Sequence, residues 1–245
     1  MPRTARSAVA GFCYHVINRG NARSVVFHDA TDFRTFLALA VRACRRVPMD
    51  VLAYCLMPNH LHFVLRPPSD DSLSRWMHWI SASYIHRYRK RHGGSGHLWQ
   101  GRFKAFPIQE DGHLFTVIRY VERNALRAGL VTQAERWPWG SLARREAKGG
   151  GPPLAELPLP PLTDWKVRVN RAEASHELDA LRASVNRGTP FGTPDWVHEA
   201  ARLLHLEHAI RPRGRPQKTP SGGDIGQRPT GPPGSLRPQE RRGAG

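Results

Sequence analysis

Long apolar runs are missing from this 245-residue chain. Nothing approaches the ~18 consecutive apolar residues that a membrane span needs. Arg3 and Arg6 near the start are not followed by an apolar stretch of signal-peptide length. Cysteine is scarce: Cys13, Cys44 and Cys55 are the three present, with no CxxC spacing. That excludes a disulfide frame and a zinc cluster, and predicts buried thiols in a reducing cytoplasm. Acidic residues are also few, 20 against 37 Lys and Arg, for a formal charge of +17. Most of the excess is arginine, which grips phosphate bidentately. A surplus of this size points to a polyanionic partner, most often nucleic acid. No internal repeat is present.

Hydrophobic periodicity orders the rest. Gly11–Asn18 alternates Phe12, Tyr14 and Val16 and predicts a strand. The loop Arg19-Gly20-Asn21-Ala22-Arg23 follows, its glycine permitting a close backbone approach. Asp29 or Thr31 caps a helix to about Arg46, with Phe33, Phe36, Leu37 and Ala40 on one side. Asp50–Met57 and His60–Arg66 are strands joined at Pro58-Asn59, a hairpin. Asp70–His92 is a long helix with Leu73, Trp76, Met77, Ile80 and Tyr84 as its core stripe. Phe103–Gln109 is a fourth strand, with Pro107 favouring an edge. A helix opens at Asp111 or Gly112 and runs to about Ala128, ended by Gly129. This order predicts an α+β, ferredoxin-like (split βαβ, RRM-like) antiparallel sheet with helices on one face. Residues 1–147 would be the catalytic domain and 148–174 a Gly/Pro-rich linker. Residues 175–210 would be a helical extension, its second helix capped by Thr193 with Pro194 at the first position. Residues 211–245 would be a disordered basic tail.

The chemistry gathers at two places. His60 and His62 flank Leu61 on a strand, so both imidazoles project from one face while Leu61, Phe63 and Leu65 point to the other. Such a pair can bind one metal ion. On the last helix of the core, Leu114, Ile118, Val121 and Ala125 form an apolar stripe. Tyr120, Asn124 and Arg127 lie roughly opposite, and the spacing of four places Tyr120 beside Asn124. A metal on His60 and His62, with the Asn124 amide as a further ligand, can act as a Lewis acid on a phosphodiester, and Tyr120 can attack the phosphorus.

Several motifs in one order carry a family resemblance over residues 11–145. They are His15-Val16-Ile17-Asn18-Arg19-Gly20-Asn21, Met57-Pro58-Asn59-His60-Leu61-His62, Leu98-Trp99-Gln100-Gly101-Arg102-Phe103-Lys104, Tyr120-Val121-Glu122-Arg123-Asn124 and Trp137-Pro138-Trp139. The chain resembles the REP-associated tyrosine transposases of the single-tyrosine HUH (IS200-like) superfamily. The resemblance implies Tyr120 as nucleophile and His60, His62 and Asn124 as ligands of a divalent metal, Mg2+ or Mn2+. Imidazole ligands favour manganese over magnesium. It also implies cleavage of single-stranded DNA near hairpins (REP-like palindromic repeats) through a 5′-phosphotyrosine intermediate. Two positions depart from the pattern. Asn124-Ala125-Leu126-Arg127 stands where the family reads Asn-Pro-Val-Arg, and this extends the helix. Trp139-Gly140-Ser141 replaces Trp-Ser-Ser.

Arg19, Arg102, Lys104 and Arg127 are candidate DNA contacts, with Trp76, Trp99 and Phe103 either core residues or stacking platforms. Arg213-Gly214-Arg215-Pro216 resembles an AT-hook core, in which Arg213 and Arg215 would enter a minor groove. The sequence reading is thus a soluble, cytoplasmic, nucleoid-associated nuclease and strand transferase, monomer or homodimer. The alternative is a noncatalytic hairpin-binding protein. The general base for Tyr120 is left open.

Overall fold

In the computed structural model the described residues are 8–146, 149–158 and 163–211. Arg213 and Arg215, and the tail they sit in, lie outside them. Four strands form one sheet: β1 (Cys13–Arg19), β2 (Asp50–Met57), β3 (His60–Arg66) and β4 (Lys104–Ile108), in the order β2-β3-β1-β4, with neighbours antiparallel. α1 (Ala30–Arg46) links β1 to β2, and α2 (Ser72–His92) links β3 to β4. This is the ferredoxin-like plan read from the sequence.

Local chemistry sets the boundaries. The Asp29 carboxylate accepts from the Thr31 and Asp32 amides and starts α1. Pro58-Asn59 closes a tight β2–β3 turn, in which Met57 pairs with His60. Leu52 is an extra residue in β2, a bulge between Val51 and Ala53. The sequence stripe of α2 is buried as read: Leu73, Trp76, Met77, Ile80 and Tyr84. Its basic C-terminus serves helix packing as well as the dipole. Arg91 pairs with Asp29 and Asp32 at the start of α1, and His92 meets the Asp32 carboxylate at 3.0 Å.

Both crossovers, β1–α1–β2 and β3–α2–β4, join parallel strands and turn the same way, so α1 and α2 share one face. Tyr14, Val16, Tyr54, Leu61, Phe63 and Leu65 meet them there. The opposite face is equally apolar, with Cys13, Leu52, Ala53, Cys55, Met57 and Val64. An uncovered apolar face is costly in water, and α3 (Gly112–Glu122) covers it with Leu114, Val117, Ile118 and Val121. Helices therefore lie on both faces of the sheet. The expectation of one helical face holds for α1 and α2 and is corrected for α3.

The last core helix is also shorter than read. It is interrupted at Arg123, and a separate turn, α4 (Asn124–Arg127), follows before Gly129 at φ +69°. Ala125 and Leu126 therefore do not lengthen it.

The later residues finish the domain. α5 (Ser141–Arg145) and its approach run beside β2, where Trp139 O accepts from Leu56 N and Val51 O accepts from Ala155 N. α6 (Trp165–Asn170) and α7 (Ser175–Arg187) pack near α3, and Leu181 joins its core. Phe191 bridges to Ile108 along β4, its amide donating to Pro107 O. α8 (Pro194–Leu203) and α9 (Glu207–Ile210) follow. Both sheet edges are thus capped by chain beyond residue 138, including part of the segment read as a linker. Among the described residues, no helix is long and apolar enough to cross a membrane. The three cysteines are free thiols, Cys13 and Cys55 buried and Cys44 partly exposed.

Candidate active site

The site lies on the sheet face that α3 covers. β1 pairs with β3 so that Arg19 faces His60, Ile17 faces His62 and His15 faces Val64. Lys104 of β4 completes the row through Ile17. Cross-strand partners share a face, so His15, His60, His62, Arg19 and Lys104 belong to one surface. The His60 and His62 rings are 5.0 Å apart and nearly perpendicular. Tyr120, near the end of α3, is partly buried. Its ring stands edge-on to both His62 and His15, 5.9 Å from each.

Burial sets the protonation of the imidazoles. His62 is buried, which drives its pKa well below the ordinary histidine value, with His60, His15, Arg127 and Arg19 adding to the effect. Burial lowers His60 to about 4, helped by the charges of Arg19 and Arg127. Burial lowers His15 to about 3, with Arg127 contributing. All three rings are therefore neutral near pH 7, the form that ligates a metal.

Asn124 is buried, 7 % exposed, one turn beyond Tyr120. Its Nδ2 has no hydrogen-bond partner among the described residues. A buried amide end without a partner is costly, and turning the amide over would put a carbonyl oxygen in that position, where a cation could satisfy it. Among the described residues no group of three or more His, Cys, Asp or Glu is placed to hold a metal ion. The donors present are instead two neutral imidazoles and an amide, which fit a divalent ion in kind.

The basic candidates divide. Arg19 and Lys104 flank the histidines, and Arg102 and Lys104 are exposed. Arg127, expected as a DNA contact, is engaged within the protein. Its Nη1 bonds Glu173 Oε2 at 2.8 Å, its Nη2 donates to Tyr120 O, and its Cζ lies 4.0 Å from the Tyr120 ring centroid. Glu173 is 46 residues away in sequence, and no local pattern announces the pairing. Trp76 and Trp99 are buried in the core shared with α1 and α2, and Phe103 packs against it, so the two tryptophans are not stacking platforms. Gly20 does allow a close approach, but to its own chain: a Cβ there would strike the Ser24 carbonyl and Val26.

Two contributors escaped the sequence reading. His15 sits inside a quoted motif, and only the β1–β3 pairing brings it to His62. Glu122 sits inside another quoted motif and was given no role there. It is 2 % exposed and accepts from Ser141 Oγ, Arg145 Nε and Trp165 Nε1. Two residues beyond Tyr120, it ties the end of α3 to α5 and α6.

Residues 8–124 match the model of the IS200-like transposase family. Over that stretch the chain is similar to the IS200-like transposases. The chain is 26% identical over 141 residues to the REP-associated tyrosine transposase of Escherichia coli K12, covering 57% of this chain and 81% of that one. It is 25% identical over 161 residues to a Haemophilus influenzae protein provisionally given the same name, covering 58% of this chain and 89% of that one. The fold is that of a REP-associated tyrosine transposase solved with a REP hairpin, at a TM-score of 0.52 and 22% identity, covering 71% of this chain and 93% of that one.

Proposed function

We propose that this protein cuts and rejoins single-stranded DNA beside hairpins through a covalent tyrosine intermediate. The observation that carries the reading is the approach of Tyr120 to the histidine face, 5.9 Å between the Tyr120 and His62 rings. His60, His62 and the Asn124 amide would hold a divalent ion, with manganese better suited to imidazole ligands than magnesium. When bound, the ion supplies Lewis-acid polarisation of the scissile phosphate.

The remaining steps belong to the protein. Arg19 and Lys104 draw the phosphate to the histidine face, and exposed Arg102 adds to the same field. The Tyr120 oxygen attacks phosphorus, the bond to the 3′ oxygen breaks, and that oxygen leaves as a 3′-hydroxyl after taking a proton. The 5′ phosphate stays on Tyr120. Because no water takes part, the phosphodiester bond energy is kept and a 3′-hydroxyl can reverse the step. Hairpin repeats of the REP kind are the proposed substrate, and the cytoplasmic nucleoid is where the enzyme would meet them.

The test is a denaturing gel of full-length protein with manganese and hairpin DNA labelled on the 3′ side of the cut. A labelled protein band that needs manganese and is lost in Tyr120→Phe is the expected result. Hairpin binding with no covalent band, across several metals and flanking sequences, would overturn the reading.

A further inference from the structure

His15 is the polar side chain on the histidine face to which the proposed chemistry gives no task. It is 1 % exposed, in a place where a solvated imidazole gains nothing. Its Nε2 lies 2.9 Å from His62 Nδ1, and the two rings stack at 21° with centroids 5.1 Å apart. Its other nitrogen, Nδ1, is buried without a partner among the described residues. Among the described residues the His15–His62 contact is therefore the one hydrogen bond of this imidazole.

A hydrogen bond between two neutral imidazoles has a direction. If His15 Nε2–H donates, His62 must carry its own proton on Nε2. Both nitrogens of His62 are then engaged, and neither offers a lone pair. If His62 Nδ1–H donates, His62 Nε2 keeps its lone pair and His15 holds its proton on Nδ1. Only the second arrangement leaves His62 able to ligate a metal through Nε2.

His60 supports the same direction independently. Its Nδ1 is 2.6 Å from Asn59 Oδ1, an oxygen that can only accept. His60 is thereby fixed as the Nδ1–H tautomer, with its lone pair on Nε2. Each member of the pair is tethered through Nδ1 to a neighbour, His60 to a side-chain oxygen and His62 to an imidazole. Metal-bound histidines are commonly oriented through the nitrogen that does not touch the metal. A carboxylate in the place of His15 would orient the ring equally well but would bury a charge beside an apolar sheet face. A neutral imidazole avoids that cost.

We propose that His15 is a positioning residue: it accepts the Nδ1–H of His62 and so holds Nε2 of His62 as the metal-facing atom. The inference rests on the metal role of His60 and His62 proposed above.

The test uses the full-length protein and Mn2+ alone, with free manganese read by its solution EPR signal. His15→Leu keeps the bulk and removes the acceptor, and manganese affinity should fall about 10- to 100-fold. His15→Gln can place a side-chain oxygen near the former Nε2 and should recover most of that loss. Metal-free hairpin binding and the unfolding midpoint should match wild type in the Gln variant. Wild-type affinity in His15→Leu would overturn the proposal. So would a Gln variant as weak as Leu, since ring packing rather than the acceptor would then be what matters. His62→Ala separates the two levels: if it binds manganese like wild type, the metal reading itself fails, whereas loss there with no effect at His15 defeats only the positioning role. Should His15→Leu not fold, 15N NMR of the wild-type imidazoles with saturating Mg2+ decides. The Nδ1–H tautomer of His62 is expected, and the Nε2–H tautomer would overturn the proposal.

Discussion

The guanidinium of Arg127 lies over the Tyr120 ring, 4.0 Å from Cζ to the centroid, while its Nη2 donates to the Tyr120 carbonyl at 3.1 Å. One side chain therefore steadies both the ring and the backbone of the proposed nucleophile. A cation over an aromatic face contributes about 0.5–2 kcal/mol. Arg127→Ala should slow covalent attachment to hairpin DNA about tenfold, measured as a single-turnover rate. Arg127→Lys should fall between, because an ammonium cannot cover the ring and fork to Glu173 and the carbonyl together.

Glu122 predicts a stability effect of another kind. Its buried carboxylate takes hydrogen bonds from a hydroxyl, a guanidinium and an indole. Glu122→Ala strands all three donors and should cost about 3–5 kcal/mol in urea unfolding. Ser141→Ala removes one neutral donor to Glu122 and also the acceptor of the buried Tyr54 amide, and should cost about 2–3 kcal/mol.

The buried imidazoles predict the acid limb of the stability profile. Burial lowers His15 to about 3 and His60 to about 4 in the folded protein, while an unfolded chain titrates near 6.5. Between these values the unfolded state binds more protons, so stability rises with pH. The contribution is fully present above about pH 6.5 and drains away as pH falls toward 4, by about 1.4 kcal/mol per pH unit for each ring. Urea midpoints measured from pH 7.5 to 4 should show this slope, and His15→Gln should flatten it.

Gly20 predicts a packing effect next to the site. A methyl group there meets the Ser24 carbonyl and Val26 Cγ1, so the loop must shift. Gly20→Ala should lower stability by about 1–3 kcal/mol. Because Gly20 follows Arg19, which faces His60, covalent attachment should fall as well. Thermal unfolding and the adduct assay read the two effects separately.

The sequence made the strands and long helices legible because each carries its signal locally. The alternation in β3, the Asp29 cap and the stripe of α2 need no information from elsewhere. The pairing of His60 with His62 was legible for the same reason, since two residues on one strand fix their own relation. His15 was not, because its relation to His62 exists only through β1 lying beside β3, across 47 residues. The ferredoxin-like strand order already implies that adjacency, so the signal was present in the topology. The partners of Arg127 and Glu122 were not legible because they lie in α5, α6 and the chain that follows α6. A helix face that reads as solvated in isolation is the seat for that later chain. The position of α3 follows from the apolar underside of β2 and β3, which the hairpin alternation displays but which was not counted as needing cover.

The two-residue turn at Pro58-Asn59 has a consequence for how this gene can drift. Register across the hairpin, Met57 to His60 and Cys55 to His62, is counted outward from that turn, and the bulge at Leu52 lies at the far end. A single inserted or deleted codon between Cys55 and His62 would roll one strand over. If that strand is β3, both imidazoles would turn into the core under α1 and α2, and Leu61 and Phe63 would turn to the face that carries Arg19 and Lys104. The glycine-rich stretch Gly93–Gly96 carries no such count and is where length can vary between descendants.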